Sequence, residues 1–387
     1  MRILVAHNAY QQRGGEDSVV DAEIALLRSR GHTVETYFRS NDDVAQMPAL
    51  ALARHTLWSP RTPADLGELV GRFKPDVLHV HNTFPLVSPS LYWAAAQAGL
   101  PVVQTLHNFR LMCLNALYLR EEKVCEDCMG HMPWRGVVRA CYRGSRAASA
   151  ALAGMLVLHR SLGTWQNKVT RYIALNRFCR DKFIEGGLPA ARIVIKPNFV
   201  DFEAPTPLGR DGFLFVGRLS AEKGIDVLVA ANRAVGNASL RVAGDGPQAA
   251  TLIGVNGITA LGALSGESVR LEMSRAMALV LPSIWYENFP RTLVEAFGCG
   301  LPVIASRIGA LAELVSDGVT GLLFEPGNAK DLAKKMTWAQ QHPAQMAEMG
   351  RNARALYEAE FTAERNYQQM MTIYQDAIDE VKGKATP

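Results

Sequence analysis

No run of apolar residues in the 387-residue chain reaches the roughly 18 that a membrane-spanning helix needs; the longest, Ala147 to Leu158, stops at His159-Arg160. No fixed-period repeat or low-complexity tract is present, so nothing points to a repeat architecture. Cysteine is sparse, with six residues in all. The stretch Met1-Arg2-Ile3-Leu4-Val5-Ala6-His7 turns polar too soon for a signal peptide and reads as a buried first strand. The expected setting is therefore a reducing cytoplasm, where thiols or a metal site are expected rather than disulfides. An excess of one charge is also lacking: 41 Lys+Arg stand against 37 Asp+Glu, with 20% charged and 48% hydrophobic residues. Those fractions belong to a globular chain and exclude disorder, collagen-like repeats and coiled coil as the main architecture. The length suits two domains of ordinary size or one large one.

The small net charge conceals an uneven distribution. Residues 1–200 carry 24 Lys+Arg and 16 Asp+Glu, a balance of +8, whereas residues 201–387 carry 17 and 21, a balance of −4. Between Arg135 and Lys182, ten basic residues stand against one acid, Asp181. Such a stretch is expected to seek lipid headgroups or polyphosphate. Its cations are interleaved with Trp134, Val137, Val138, Leu162, Trp165 and the apolar run. It reads as a helix lying in a membrane interface, or equally as a core helix with its cations turned to solvent.

Short apolar runs alternate with helical patterns along the whole chain. Strands are expected at Ile3–Ala6, Thr33–Tyr37, Val77–Val80, Val102–Leu106, Tyr172–Leu175 and Ile193–Ile195, with helices at Glu16–Arg30, Ala64–Phe73 and Leu91–Ala98. A linker is expected around Pro197, Pro205 and Pro207. A second series follows, with strands at Gly212–Val216, Leu240–Ala243, Ile258–Leu261, Ala278–Pro282, Pro302–Ala305 and Gly321–Phe324. Its helices are expected at Gly224–Val235, Gln248–Val255, Ser265–Arg275, Pro290–Phe297, Gly309–Ser316 and Asn328–Gln341, with a last one from Ala363 to Val381. Continuous apolar strands joined by helices imply parallel pairing in doubly wound sheets. Two such halves place a ligand cleft at the carboxyl ends of both sets of strands. The expected division is residues 1–200, residues 201–362 and a final helix over residues 363–387.

The most informative stretch runs from Pro282 to Pro302. A strand ends, a loop carries Glu287, and a helix opens near Pro290 with Glu295 in its second turn. Pro at a helix start leaves neighbouring amides unfilled, a ready anion site. Two carboxylates beside it suit a ligand with hydroxyls and phosphates, although Glu295 alone could as well pair on a solvated helix face. A second motif, Val216-Gly217-Arg218 with Glu222-Lys223-Gly224, places Arg218 and Lys223 at a strand's carboxyl end. Together they can neutralise a diphosphate; singly, each reads as a solvated basic residue.

With Gly14-Gly15-Glu16, Gly244-Asp245-Gly246-Pro247 and Gly298-Cys299-Gly300-Leu301-Pro302 in this order, the chain resembles the family-4 retaining glycosyltransferases over essentially its whole length. The resemblance implies the GT-B fold: two Rossmann-like domains facing across a cleft, with the C-terminal helix returning to the N-domain. It implies that the N-terminal domain takes the acceptor and the C-terminal domain a nucleotide-sugar, a UDP- or GDP-sugar. By the same resemblance, Arg218 and Lys223 bind the donor's diphosphate, Glu287 contacts the donor sugar, and Glu295 holds the ribose. Amides from Asn288, Phe289, Pro290, Arg291 and Thr292 meet the distal phosphate, Gly15 closes over the phosphates, and backbone near Gly244 meets the base. His107 lies near the sugar, its plainer reading being a structural or helix-capping residue. No Asp-x-Asp loop ends a strand, which fits a family whose basic residues, rather than Mg²⁺, stabilise the leaving diphosphate; no cofactor is expected for catalysis. A retaining, metal-independent hexosyl transfer to a carbohydrate or polyprenyl-diphosphate-linked glycan is implied, in bacterial surface polysaccharide or glycolipid synthesis. The enzyme is expected in the cytoplasm or at the inner face of the cytoplasmic membrane, with a peripheral anionic contact.

Cys113, Cys125, Cys128 and Cys141 form a Cys-x₁₁-Cys-x₂-Cys-x₁₂-Cys pattern with the ligand count of a structural zinc site. The plainer reading is four unrelated reduced thiols. Two other functions remain open on sequence: a nucleotide-sugar epimerase of the same fold, and a polyanion-binding module built on the basic stretch. Nucleic acid is not expected as a partner.

Overall fold

The computed structural model describes residues 1–11, 14–206 and 209–385; Pro207, part of the expected linker, lies outside them. Packing divides the chain into two units. Unit 1 comprises Met1–Leu117, Glu126–Pro197 and Asn366–Pro387, and unit 2 comprises Tyr118–Cys125 and Asn198–Arg365.

The strands are β1 (Arg2–Ala9), β2 (Thr33–Ser40), β3 (Val77–Val80), β4 (Val102–Thr105), β5 (Leu119–Arg120), β6 (Lys123–Val124), β7 (Arg171–Ala174) and β8 (Ile193–Ile195). They continue with β9 (Phe213–Val216), β10 (Leu240–Ala243), β11 (Ile258–Gly262), β12 (Ala278–Leu281), β13 (Val303–Ser306) and β14 (Gly321–Phe324). Unit 1 holds a parallel six-stranded sheet in the order β2-β1-β3-β4-β7-β8. Helices cover both faces, which is why β1 and β3 read as nearly unbroken apolar runs. The final helix, Ala363–Ala385, completes this core: Met370, Ile373, Tyr374, Ala377 and Ile378 pack with Ile3, Val5, Val20, Ile24 and Leu27. It therefore returns to the first unit, as expected.

Unit 2 repeats the design in the order β11-β10-β9-β12-β13-β14, all parallel. Side chains alternate across a strand. Accordingly Leu279 and Leu281 join one core, with Val303 and Ala305, while Ala278 and Val280 join the other, with Ile304. The short β5–β6 hairpin belongs to this unit, and Tyr118 at its base packs edge-on against Tyr286 at 6.0 Å.

Several elements differ from the sequence expectation. Gln248–Val255 is not a helix but a single 3₁₀ turn, Ala249–Leu252, ended by Gly254 at φ +71°. Helices that went unread include Ala49–Leu57, Arg177–Glu185 and Pro343–Glu360. The last of these begins at Pro343, whose missing N–H suits a first turn, and buries Met346, Met349, Gly350, Ala353 and Tyr357. Gly350 and Ala353 interrupt the larger apolar side chains of its buried face and weaken the stripe. Among the described residues no helix is long and apolar enough to cross a membrane.

Candidate functional site

A doubly wound sheet binds ligands where the strand order reverses, beyond the carboxyl ends of the strands. In unit 2 that point lies between the paired strands β9 and β12, so the loops after them are neighbours. The Ile284 amide donates to the Glu222 carbonyl at 3.0 Å and ties the loops together. Gly224, at φ +73°, passes so close that a Cβ would lie 2.0 Å from the Pro282 carbonyl oxygen. Gly244, at φ +145°, similarly leaves 1.9 Å to the carbonyl oxygen of Gly217. Backbone approach of this kind excludes any larger residue.

Within this cradle Lys223 Nζ donates to Glu287 Oε1 at 2.6 Å, and Ser283 Oγ donates to the same oxygen at 2.7 Å. The Glu287 side chain is 7% exposed and that of Lys223 25%, so the carboxylate forms the floor and the ammonium faces outward. Lys223 Nζ also lies 5.5 Å from the Trp285 ring centroid. Arg218 is exposed, with no ion pair among the described residues. The helix Arg291–Gly298 starts after Pro290 with no side-chain cap and no acid in its first turn. Its first amides are therefore open to an anion. Glu295 accepts from Arg291 Nε at 3.1 Å; burial raises its carboxyl, while Arg291 and Arg270 oppose that rise. Asn288 is buried beside this helix start, Thr292 is half-buried, and Phe289 packs edge-on against Phe361 at 6.1 Å. A cavity of about 790 Å³ lies elsewhere in the unit, lined by Phe202–Thr206 and by the far end of the Glu295 helix at Gly298–Gly300.

In unit 1 the reversal falls between β1 and β3. Gly15, exposed, opens the helix Gly15–Ser29 with open space where a side chain would project. The next residue, Glu16, received no role from sequence. Its Oε2 accepts from Tyr10 OH at 3.1 Å and Asn108 Nδ2 at 3.3 Å, while Oε1 is buried without a partner. Burial lifts this carboxyl to about 8, against the pull of Tyr10, Arg110 and Asn108. A carboxyl buried in this way beside a sheet's switch point is a candidate site residue.

His107 follows β4, and its Nε2 lies 2.8 Å from His81 Nδ1 with the rings stacked at 5.1 Å. Beneath them His79 contacts Thr105 Oγ1 at 2.8 Å and the Tyr374 hydroxyl at 2.7 Å. Burial pushes His79 down to about 4, and burial together with the neighbouring imidazoles pushes His81 and His107 well below the ordinary value. All three are neutral at pH 7. Glu23 Oε2 lies 3.7 Å from His81 Nε2 and 3.9 Å from His79 Nδ1, a cluster of metal-capable groups. Its other oxygen accepts from Lys196 Nζ at 2.7 Å, so an ammonium already supplies the cation there. The alternation His79-x-His81 was visible in sequence; Glu23 and Lys196, 173 residues apart, were not.

The cysteines are placed as follows. Cys113 Sγ donates to Asn115 Oδ1 at 2.9 Å. Cys128 Sγ would lie 3.5 Å from a Cβ on Gly136, whose carbonyl accepts from the Cys141 amide at 2.9 Å. Cys125 is grouped with unit 2. The basic stretch is less open than its composition suggested. Arg135 and Arg139 meet Asp127, Arg171 meets Glu380, and Lys182 meets Glu126 at 2.8 Å and Glu185 at 3.0 Å. Acids outside the stretch meet four of its ten cations.

Comparison with known proteins agrees with this architecture. Residues 199–356 match the family Glycosyl transferases group 1, and residues 13–204 match Glycosyltransferase Family 4. D-rhamnosyltransferase WbpZ of Pseudomonas aeruginosa is 34% identical over 164 residues, 40% of this chain and 43% of that protein. Matched segments of two further curated relatives make up 59% and 40% of their lengths, so the chain spans about half of these proteins. Sucrose-phosphate synthase of Thermosynechococcus elongatus superposes with a TM-score of 0.72 at 19% identity, covering 97% of this chain and 98% of that one. Anabaena HepE, solved in complex with UDP and glucose, superposes with a TM-score of 0.67 at 18% identity, covering 96% and 98%. These likenesses establish the GT-B fold.

Proposed function

The chain belongs to the family-4 glycosyltransferases, and on that premise we propose that it moves a sugar from a UDP- or GDP-sugar to a carbohydrate or lipid-linked acceptor, with retention and without a metal. The observation that carries this reading is the Lys223–Glu287 contact, completed by Ser283, at the strand reversal of unit 2. Breaking an anomeric C–O bond places positive charge on the sugar and negative charge on the departing diphosphate. Lys223, Arg218 and the amides opening the Arg291–Gly298 helix are assigned to that negative charge, because preorganised donors lower a barrier most. Glu287, held by Lys223 and Ser283, is assigned to the donor sugar's hydroxyls. Glu295 is assigned to the ribose, and neutral His107 to the sugar from unit 1. HepE, a protein of the same fold, binds UDP, which supports a nucleotide donor.

The acceptor fits a polyprenyl-diphosphate-linked glycan, supported by the cations Arg110, Arg143 and Arg146, none of which has an acidic partner among the described residues. Work on such a carrier would place the enzyme at the cytoplasmic face of a membrane, in surface polysaccharide synthesis. On spacing, Cys113, Cys125, Cys128 and Cys141 are assigned to a structural zinc. Release of nucleotide from a panel of UDP- and GDP-sugars tests the proposal, alongside a thermal-shift comparison of UDP, GDP and ADP. Failure of every nucleotide to raise the midpoint would remove the donor assignment.

A further inference from the structure

A groove of about 410 Å³ opens in unit 1 between the helices Ala49–Leu57 and Arg146–Ser161. Ala49 and Ala53 line it from the first helix, and Ala147, Ala151 and Leu152 from the second. Small side chains on both helices leave the space that longer ones would have filled. Its volume is that of a ligand pocket. Leu50, on its wall, is 84% exposed.

Arg143 is the one charged residue lining this groove. The residue stands at φ +54°, a region that non-glycine residues avoid, and its guanidinium lies 5.5 Å from the Tyr142 ring. Strained backbone of this kind collects at ligand-holding positions. Phe84 lines the groove and also the adjoining pocket that contains His107 and Arg110. Over that shared wall the Arg110 guanidinium sits 4.9 Å from the Phe84 ring and 5.4 Å from Tyr142. Unit 1 thus presents, in order, an apolar groove, two arginines stacked on one aromatic pair, and the histidine pocket. A lipid-linked sugar has its parts in the same order: hydrocarbon, phosphates, sugar.

We propose that the groove holds the phosphate-proximal isoprene units of a polyprenyl-diphosphate-linked acceptor, with Arg143 and Arg110 binding its phosphates. This inference rests on the reading of the chain as a glycosyltransferase with a lipid-linked acceptor. Arginine forks match phosphate oxygens in pairs. Hydrocarbon leaving water gains up to about fourfold in affinity per methylene, so chain length should be read directly. The occupant is a single chain drawn from the bilayer, not the bilayer surface, because the lining is concave and carries one cation.

The test is titration of the full chain with inorganic diphosphate, geranyl diphosphate, farnesyl diphosphate and geranylgeranyl diphosphate in detergent-free buffer. Affinity is expected to climb by tenfold or more from inorganic to farnesyl diphosphate and then level off once the groove is full. Ala151→Trp, which fills the groove, and Arg143→Glu are each expected to weaken farnesyl diphosphate at least tenfold with UDP or GDP affinity unchanged. Should Ala151→Trp fail to fold, Ala53→Leu makes the same test. Equal affinity for inorganic and farnesyl diphosphate would overturn the proposal, as would full farnesyl diphosphate binding by a folded Ala151→Trp protein. Binding to anionic vesicles with none to the soluble diphosphates would also overturn it and assign this face to the membrane. The transferase reading fails separately, if no UDP- or GDP-sugar is cleaved; chain-length-dependent binding lost in Ala151→Trp would stand regardless.

Discussion

Replacing Lys196 by Met should be among the most damaging single changes in unit 1. Lys196 and Glu23 are 0% and 1% exposed, and their contact is 2.7 Å, so solvent does not screen the pair. Met keeps most of the volume and removes only the charge. Glu23 would be left with Oε2 already lacking a hydrogen bond and with two neutral imidazoles near it. Stranding one member of a buried pair costs about 3–5 kcal/mol. At about 2–3 kcal/mol per molar urea, the unfolding midpoint of the unit should fall by roughly 1–2.5 M. Removing the second charge as well, in Lys196→Met/Glu23→Leu, should recover most of that loss, because a buried ion pair is often replaceable by apolar residues. Urea unfolding at pH 7, followed by tryptophan fluorescence, reads all three proteins. A single-mutant loss below about 1 kcal/mol, or a double mutant no better than the single, would refute the argument.

Four further outcomes can be measured. Lys223→Ala should lose transfer by about two orders of magnitude or more, the size of one preorganised contact to developing charge, in a steady-state assay of nucleotide release; near-normal turnover of a folded variant contradicts its role. Glu295→Ala should mainly weaken nucleotide affinity and Glu287→Ala mainly lower the rate, and the reverse split would exchange their assignments. The Glu16 carboxyl titrates near 8 when folded and near 4.5 otherwise, so the folded state holds an extra proton between these values and stability falls as pH rises through them. Glu16→Gln should flatten that decline in thermal midpoint, and an unchanged slope would count against the buried carboxyl. For the cysteines, metal analysis of protein purified without chelator should find about one zinc per chain, with Cys125→Ser lowering stability rather than donor affinity; no zinc would end that reading.

Much of the frame was legible because parallel sheets bury both faces, so β3, β9 and β12 stand out as apolar runs bounded by turn residues. The winding order is not written in any one strand. It decides which loops meet, and hence that Lys223 and Glu287, 64 residues apart, share a hydrogen bond. Spacing identified both residues but could not pair them. Glu23 was hidden for a different reason: an acid in an amphipathic helix normally faces water, and only the fold turns this one toward Lys196. The apolar run Ala147–Leu158 shows the limit of periodicity. Leu152, Met155 and Leu156 are buried, whereas Leu158 on the same helix is 38% exposed, so the helix serves both the core and a surface. Composition likewise exaggerated the basic stretch, since Asp127, Glu126 and Glu380 reach it only in three dimensions.

The central claim, retaining transfer from a nucleotide-sugar through Lys223 and Glu287, is tested most directly by the product itself. The purified protein is incubated with UDP- and GDP-sugars and a polyprenyl-diphosphate-linked acceptor, and the anomeric configuration of the new linkage is read by NMR. The account predicts nucleotide release coupled to a product with the donor's anomeric configuration, lost in both Lys223→Ala and Glu287→Ala. A product of inverted configuration, or one formed equally well by the two variants, would contradict it.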